Sequence, residues 1–334
     1  MVWGALTNMA QTASVAVVDA PSGGYVDRLD IEESIIGARA VDKYLIVKED
    51  RDTLYGIRQP VMILWHHVSL GAEFFERNRF CRAVVCASVG YNHVDIAAAR
   101  RAGVAIYHIP HYGTEEVADH TLALFLSGAR RLPELADHVR QGGWDWREAL
   151  GLRRLRGMTW GVVGLGRIGL AVASRAKAFG MSVAFHDPFN HPGVEKALDL
   201  VRKSTLDGLL RDSDVVSLHV PLDERTHHLV GAAELALMRP GAHLVNTARG
   251  ALVDLAALRP ALERGRPGFA ALDVVEDEPT LPDWLVAHPR VALTPHSAFY
   301  SVESLTELRT RAASAAMELV TGQPVTSAIP VLDQ

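Results

Sequence analysis

The chain has 334 residues, of which 49% are hydrophobic and 22% charged, a composition typical of a soluble globular protein with two domains. A net charge of −5 argues against nucleic acid or an anionic membrane as a partner, and no apolar run is long enough to span a bilayer. Two cysteines exclude a disulfide framework, and the N-terminus lacks the basic and apolar segments of a signal peptide, so we expect a cytoplasmic protein.

Apolar runs of strand length alternate with helical stretches through the first hundred residues. This alternation predicts a parallel sheet with helices on its faces. The predicted strands are Val15–Val18, Tyr44–Val47, Val61–Leu64, Ala83–Ala87 and Val104–His108, with helices at Leu70–Asn78 and Val94–Ala102.

A helix predicted over Glu115–Arg131 is apolar around most of its circumference. Such a helix must bury more than one face. We therefore expect it to be buried and to take part in a subunit contact.

The stretch 158–187 has the pattern of a dinucleotide-binding unit. An apolar run, Met158–Val163, precedes Gly164, Gly166 and Gly169, which match G-x-G-x-x-G. A helical pattern and a second apolar run follow, and that run ends in Asp187. Glycines in this pattern allow a tight turn and close approach to a pyrophosphate, while the acid accepts hydrogen bonds from a ribose. Because no arginine follows the acid to attract a 2′-phosphate, the pattern favours NAD over NADP.

The same βα alternation continues to residue 293 and gives six predicted strands in this half, the number of a full dinucleotide-binding sheet. The last predicted helix, Val302–Leu319, is long enough to return to the first domain. We therefore predict a discontinuous first domain built from both ends of the chain. The remaining predicted strands are Met181–His186, Asp214–Leu218, Ala242–Val245, Phe269–Val274 and Val291–Leu293, with helices at Leu206–Leu210, Gly231–Met238 and Leu255–Arg264.

Three of these strands are followed by chemically reactive side chains: Arg249, Glu278 and His296. Ligands of such sheets bind at the carboxyl ends of the strands. A guanidinium can hold a carboxylate, a histidine can exchange a proton with a hydroxyl, and a carboxylate can orient that histidine. Each residue alone has a structural explanation, but together they indicate a dehydrogenase site.

Several motifs in this order resemble those of the D-isomer-specific 2-hydroxyacid dehydrogenase family, and the resemblance covers nearly the whole chain. Within the family, the C-terminal-binding-protein branch is the most similar. The motifs are Gly-Leu-Gly-Arg-Ile-Gly (164–169), Arg-Ala-Lys-Ala-Phe-Gly (175–180), Leu-Val-Asn-Thr-Ala-Arg-Gly (244–250), Ala-Leu-Asp-Val (271–274) and Thr-Pro-His-Ser-Ala-Phe-Tyr-Ser (294–301).

The resemblance implies that Arg249 binds a substrate carboxylate, that His296 is the acid/base and that Glu278 pairs with it. Glu276 and Asp277 are rivals for the last role, but the family's acid directly precedes a proline, as Glu278 does. It also implies that NAD lies against Gly164, Gly166, Gly169 and Asp187 together with Thr114, Arg167, Ile168, His219, Pro221, Thr247, Ala248, Asp273 and His296.

One departure from the family concerns the first substrate loop. Cys86 stands where the family often has an arginine, which disfavours substrates that need that charge, such as 3-phosphoglycerate. The backbone of Ser88, Val89 and Gly90 is still expected to hold a carboxylate. A buried apolar role for Cys86 is preferred to a reactive thiol.

These observations predict an α/β protein with two doubly wound parallel-sheet domains. Residues 1–112 and 302–334 form a flavodoxin-like substrate domain, and residues 113–301 form a Rossmann-type NAD domain. The predicted function is that of an NAD-dependent oxidoreductase that acts on a small anionic 2-hydroxy or 2-oxo acid. The alternatives are a phosphonate-type substrate and an NAD-sensing corepressor-like scaffold.

The family also leads us to expect a homodimer. No metal site is predicted, because the adjacent pairs His66–His67 and His227–His228 would not both face one ion from a strand.

Overall fold

The computed structural model describes residues 14–21, 24–47 and 51–331. Contacts divide the chain into two compact units. The first comprises Met1–Tyr112 and Ser301–Gln334, and the second comprises Gly113–Tyr300.

Residues 15–108 of the first unit contain five parallel strands in the order β5-β4-β3-β1-β2, which is the flavodoxin-like order. Strand β1 is buried along its length because it lies inside the sheet, and its Val15 pairs with Val41 on one side and Val61 on the other. The elements are β1 (Val15–Asp19), α1 (Asp30–Ile36), β2 (Val41–Leu45), α2 (Arg51–Tyr55), β3 (Val61–Leu64), α3 (Ala72–Arg77), β4 (Ala83–Cys86), α4 (Ile96–Arg101) and β5 (Ala105–His108).

The second strand differs from its prediction over Tyr44–Val47. It begins at Val41 and includes Asp42 and Lys43, which are not apolar. This strand lies at the edge of the sheet and is less covered than β1: Asp42 is exposed and Lys43 is half-buried, which suits polar residues. The apolar run therefore marked the end of this strand and missed its beginning.

The second unit contains a parallel sheet in the order β12-β11-β10-β9-β6-β7-β8, with β6 at the switch point. Its elements are α5 (Thr114–Ala129), α6 (Leu132–Arg140), β6 (Thr159–Val163), α7 (Arg167–Ala178), β7 (Ser182–His186), α8 (Val194–Leu198), β8 (Val201–Arg202), α9 (Leu206–Asp212), β9 (Val215–Leu218), α10 (Ala232–Leu237), β10 (His243–Asn246), α11 (Leu255–Glu263), β11 (Phe269–Leu272), α12 (Asp283–Ala287) and β12 (Val291–Leu293), with 3-10 turns at Trp146–Ala149 and Gly250–Leu252.

This order is that of the Rossmann fold, and together with the first sheet it confirms the predicted fold class. The six predicted strands are present, but the described part of this sheet has a seventh, β8. It has two residues and pairs with β7, and it is too short to contain an apolar run that would predict it. It nevertheless occupies the third position of the Rossmann order.

Helix α5 is buried, as predicted, and its apolar residues pack against α7, β10 and β11 of its own unit. Its end at Ala129 is followed by a second helix, α6, that the sequence analysis missed. Leu132, Leu135, Ala136 and Val139 recur at helical spacing, so the sequence carries the signal of this helix, although none of its residues is buried.

The final elements are α13 (Val302–Thr321) and β13 (Ile329–Pro330). Both belong to the first unit: α13 packs on α1, β3 and β4, and β13 pairs antiparallel with β5. The buried carboxylate of Glu32 holds α13 through Arg309, with Nη2 and Oε2 2.6 Å apart. Within the described residues, no helix combines the length and the apolar character needed to cross a membrane.

Candidate active site

The turn between β6 and α7 contains three glycines, Gly164, Gly166 and Gly169, whose surroundings differ. A Cβ on Gly164 would lie 2.8 Å from the His219 carbonyl oxygen, and one on Gly169 would lie 2.1 Å from the Gly164 oxygen. Packing within the protein therefore requires both glycines. A Cβ on Gly166 would meet nothing within 4 Å, so the backbone at the start of α7 is open to approach. This arrangement fits a pyrophosphate at the helix N-terminus.

Asp187 follows β7 and its carboxylate is fixed beside the glycine turn. It accepts hydrogen bonds from the backbone N–H of Leu165 and of Phe189, both at 2.9 Å, and from the Asn190 side-chain amide at 3.2 Å. The carboxylate therefore has a defined position at the end of the second Rossmann strand, where ribose hydroxyls are bound in this fold.

The other residues predicted to contact the cofactor lie at helix starts and strand ends of the same unit. The His219 ring bonds the Ser217 hydroxyl at 2.9 Å, and desolvation lowers the pKa of this histidine to about 3, so the ring is neutral. Arg167 and Ile168 open α7, Thr114 opens α5, His219 and Pro221 follow β9, Thr247 and Ala248 follow β10, and Asp273 follows β11.

His296 and Glu278 form a close pair. The Nδ1 atom of His296 lies 2.5 Å from Glu278 Oε1. Burial acts to raise the pKa of Glu278, but the hydrogen bond from His296 and the charges of His296 and Arg249 outweigh it, and the pKa is below its usual value. The second unit therefore brings together the three side chains that the sequence analysis selected. The rival Glu276 instead lies beside His228.

Arg249 is positioned by Asn246, a buried residue at the end of β10. The Asn246 side chain donates to the Arg249 carbonyl at 2.8 Å and accepts from the Ala248 N–H at 3.0 Å. The next residue, Gly250, lies against the loop after β11, since a Cβ there would come within 2.0 Å of the Val275 carbonyl carbon. Sequence reasoning quoted Asn246 within a motif but gave it no role.

The loop that carries His296 is held by the buried carboxylate of Asp273. Asp273 accepts hydrogen bonds from the Thr294 hydroxyl at 2.6 Å and from the N–H groups of Ser297 and Ala298 at 2.9 and 3.0 Å. The N–H of His296 donates to the Asp273 carbonyl at 2.8 Å. Asp273 was predicted as a cofactor contact, which stays a prediction, and these bonds show that it positions the loop with the acid/base candidate.

The predicted substrate loop belongs to the first unit and follows β4. The Ser88 hydroxyl donates to the Gly90 carbonyl at 2.5 Å, and the His108 ring bonds the Val89 carbonyl at 2.7 Å. These bonds fix the backbone of the loop. Cys86 is fully buried in β4, and burial raises the pKa of its thiol to about 12, in keeping with the apolar role preferred from sequence.

Comparison with known proteins identifies the family. Residues 122–298 match the family described as D-isomer specific 2-hydroxyacid dehydrogenase, NAD binding domain. A glyoxylate reductase of Aeropyrum pernix is 44% identical over 225 residues, covering 65% of this chain and 67% of that protein. A glyoxylate reductase of Korarchaeum cryptofilum is 42% identical over 239 residues, covering 70% and 72%.

A solved structure is also similar. D-lactate dehydrogenase from Aquifex aeolicus, determined in complex with NAD and lactic acid, superposes with a TM-score of 0.83 at 30% identity and covers 92% of this chain and 96% of that one.

The chain therefore belongs to the D-isomer-specific 2-hydroxyacid dehydrogenase family, which confirms the resemblance found in its motifs. It is an NAD-dependent oxidoreductase of that family. The narrower resemblance to the C-terminal-binding-protein branch stays a prediction.

Proposed function

We propose that the protein reduces a small 2-oxo acid at the expense of NADH, with glyoxylate as the first candidate. One observation carries the proposal: the His296–Glu278 pair, 2.5 Å apart, lies near enough to Arg249 for the guanidinium charge to act on Glu278. The two relatives named glyoxylate reductase support the choice of substrate.

When bound, NADH supplies the hydride for the reduction. The open backbone at Gly166 and the first residues of α7 receive its pyrophosphate, and Asp187 accepts hydrogen bonds from its ribose. Because the Asp187 carboxylate would repel a 2′-phosphate, we propose a preference for NADH over NADPH.

Arg249 binds the carboxylate of the substrate. A guanidinium offers two parallel N–H donors that match the two carboxylate oxygens, which fixes both the position and the orientation of the acid. The hydrogen bond that Asn246 donates to the Arg249 carbonyl holds this backbone at the end of β10. A substrate held in this way presents its carbonyl in one orientation.

His296 supplies the proton. Its Nδ1 is engaged by Glu278, so Nε2 is the atom that gives a proton to the carbonyl oxygen during reduction and takes it back in the reverse reaction. Glu278 holds the ring in one tautomer and stabilises its protonated form. The low pKa of Glu278 keeps this partner ionised at neutral pH.

For the loop after β4 we keep the role predicted from sequence, that its backbone binds a carboxylate. Ser88, Val89 and Gly90 offer backbone N–H groups from a loop whose own hydrogen bonds make it rigid. Cys86 is a neutral thiol inside the sheet and adds no charge to this loop. We therefore propose residues 1–112 and 302–334 as the substrate domain, residues 113–301 as the NAD domain, and a substrate without a second anionic group.

We further propose a homodimer; the contact predicted at Glu115–Arg131 stays a prediction, and the segment that follows α5 offers a second candidate surface. The apolar residues of α5 pack within their own unit. The segment 132–150 instead exposes Trp144 to 90% and Trp146 to 71%, a pair of large apolar side chains typical of an interaction surface. Light scattering of Trp144→Ser/Trp146→Ser protein is expected to give a monomer; an unchanged dimer would place the contact elsewhere. The expected cytoplasmic location stays a prediction.

The assay that tests the activity is a panel of glyoxylate, pyruvate and a 2-oxo phosphonate with NADH, followed by loss of reduced-nicotinamide absorbance. Turnover of glyoxylate or pyruvate is expected to exceed that of the phosphonate. Faster phosphonate turnover would assign the anion site to that class. Binding of NADH without turnover of any of the three would contradict the proposal and favour the scaffold function.

A further inference from the structure

A second histidine–carboxylate cluster lies outside the reaction site. It consists of His227, His228 and Glu276. The Nε2 atom of His228 lies 3.0 Å from Glu276 Oε2, and the Nε2 atom of His227 lies 3.6 Å from Glu276 Oε1. The two rings stack with centroids 4.0 Å apart. Nothing in the proposed reduction uses these side chains.

The sequence argument against a metal site placed these two histidines in a strand. They lie in a turn, and for that reason they can share one carboxylate. His228 has a positive φ of 51°, a conformation that histidine adopts more readily than most residues. In a strand, successive side chains point to opposite faces. The turn removes that alternation and lets both rings reach Glu276.

Backbone contacts hold the three loops of the cluster together. The N–H of His228 donates to the Ala251 carbonyl at 2.8 Å, and the N–H of Val230 donates to the Leu252 carbonyl at 3.0 Å. Gly250 in turn lies against the backbone of Val275 and Glu276, too close for any side chain. The cluster is therefore built on fixed backbone and not on flexible side chains alone.

The spacing of the ligand atoms fits a small cation. One atom from each of the three residues can be chosen so that all lie within 4.8 Å of one another. A tetrahedral zinc ion bonded at its usual distances to nitrogen and oxygen separates its ligands by about 3.3 Å. Small rotations of exposed or half-buried side chains are enough to reach that spacing.

We propose that His227, His228 and Glu276 form a binding site for a divalent transition-metal ion of the zinc class. Two imidazoles and one carboxylate are a donor set that selects such ions, whereas magnesium and calcium prefer oxygen donors. Water completes the coordination, because His227 keeps 53% of its side-chain surface exposed.

A bound ion would tie the turn at residues 227–228 to the loop after β11. A ligand that binds only the folded state raises its stability. Zinc at about 100 times its dissociation constant is therefore expected to raise the melting temperature by on the order of 5 °C.

The test is calorimetric titration of the full chain, freed of metal by a chelator, with zinc and separately with magnesium. One zinc ion per chain that is lost on mutation of the cluster supports the proposal. His228→Ala and Glu276→Gln are each expected to weaken zinc binding by about tenfold or more and to abolish the thermal shift. Glu276→Gln replaces one oxygen atom by nitrogen on a partly exposed side chain and serves if the histidine variant fails to fold.

Two matched controls make the result specific. His191→Ala removes an exposed histidine of the same unit, and Glu278→Gln removes a carboxylate of the same loop; both are expected to retain zinc binding. Equal zinc affinity in wild type and in both cluster variants would overturn the proposal. Equal affinity of the wild type for magnesium would overturn the assigned class of ion.

Discussion

The molecule has two histidine–glutamate pairs whose glutamates lie on the same loop. The pairs differ in the third side chain beside them. Glu278 pairs with His296 and Glu276 pairs with His228, and both histidines have a φ of 51°. Arg249 stands near the first pair, and a second imidazole, His227, stands near the other. The first set can hold an anion, whereas the second can hold a cation. The charge of the third group, more than the pair itself, determines the ligand.

The largest effect is expected where the proton is exchanged. His296→Ala removes the acid/base group, and turnover of the 2-oxo acid is expected to fall by about 10²–10⁴-fold, the usual contribution of such a group. NADH affinity, measured by fluorescence titration, should be unchanged. His228→Ala is the matched control and should keep wild-type turnover. Full activity of His296→Ala would remove the assigned role.

The second-largest effect is expected at Arg249, the residue proposed to bind the substrate carboxylate. Arg249→Lys keeps the charge but loses the paired donors, and kcat/KM is expected to fall roughly ten- to hundredfold, because a hydrogen bond to a charged group contributes about 1.5–3 kcal/mol. Steady-state kinetics with the best 2-oxo acid measures the change. Arg259→Lys, on an exposed side chain of the same unit, serves as the control. A wild-type profile for Arg249→Lys would place the carboxylate elsewhere.

The two glutamates give the most closely matched comparison. Glu278→Gln removes the charge that stabilises the protonated His296, and kcat is expected to fall about tenfold with little change in KM. Glu276→Gln makes the same change two positions earlier and should leave kcat intact. If the two variants lost activity equally, the division of roles between the pairs would be wrong.

The smallest effect is expected at the cofactor end of the site. Asp187→Ala should weaken NADH binding by about tenfold, through lost ribose hydrogen bonds, and reduce discrimination against NADPH. Asp187→Asn keeps an acceptor for the Leu165 N–H and separates loop geometry from charge. Unchanged selectivity in both variants, measured as the ratio of dissociation constants, would show that Asp187 does not choose the cofactor.

Local pattern was enough to predict most elements of both sheets and to select the three side chains proposed for the reaction. Gly164 and Gly169 are required by contacts within a few residues or with the neighbouring strand, and Arg249 and His296 follow apolar strands directly. Glycine turns and the residues that follow strands can therefore be predicted from short stretches of sequence. The buried helix α5 was visible for the same reason.

What the sequence could not reveal depends on distant pairing. The hydrogen bonds that Asp273 accepts from residues 294–298 join segments more than twenty positions apart, and the contact between His228 and Glu276 spans 48 positions. Strand β8 has two residues, too few to show the apolar periodicity that marks an element. These features follow from sheet register and loop packing.

The most direct test of the central claim is a crystal structure of the protein with NADH and oxamate, an unreactive analogue of a 2-oxo acid. We expect the oxamate carboxylate on the Arg249 guanidinium and its carbonyl oxygen within hydrogen-bond distance of His296 Nε2. Oxamate bound away from these two side chains, with His296 still paired to Glu278, would contradict the account.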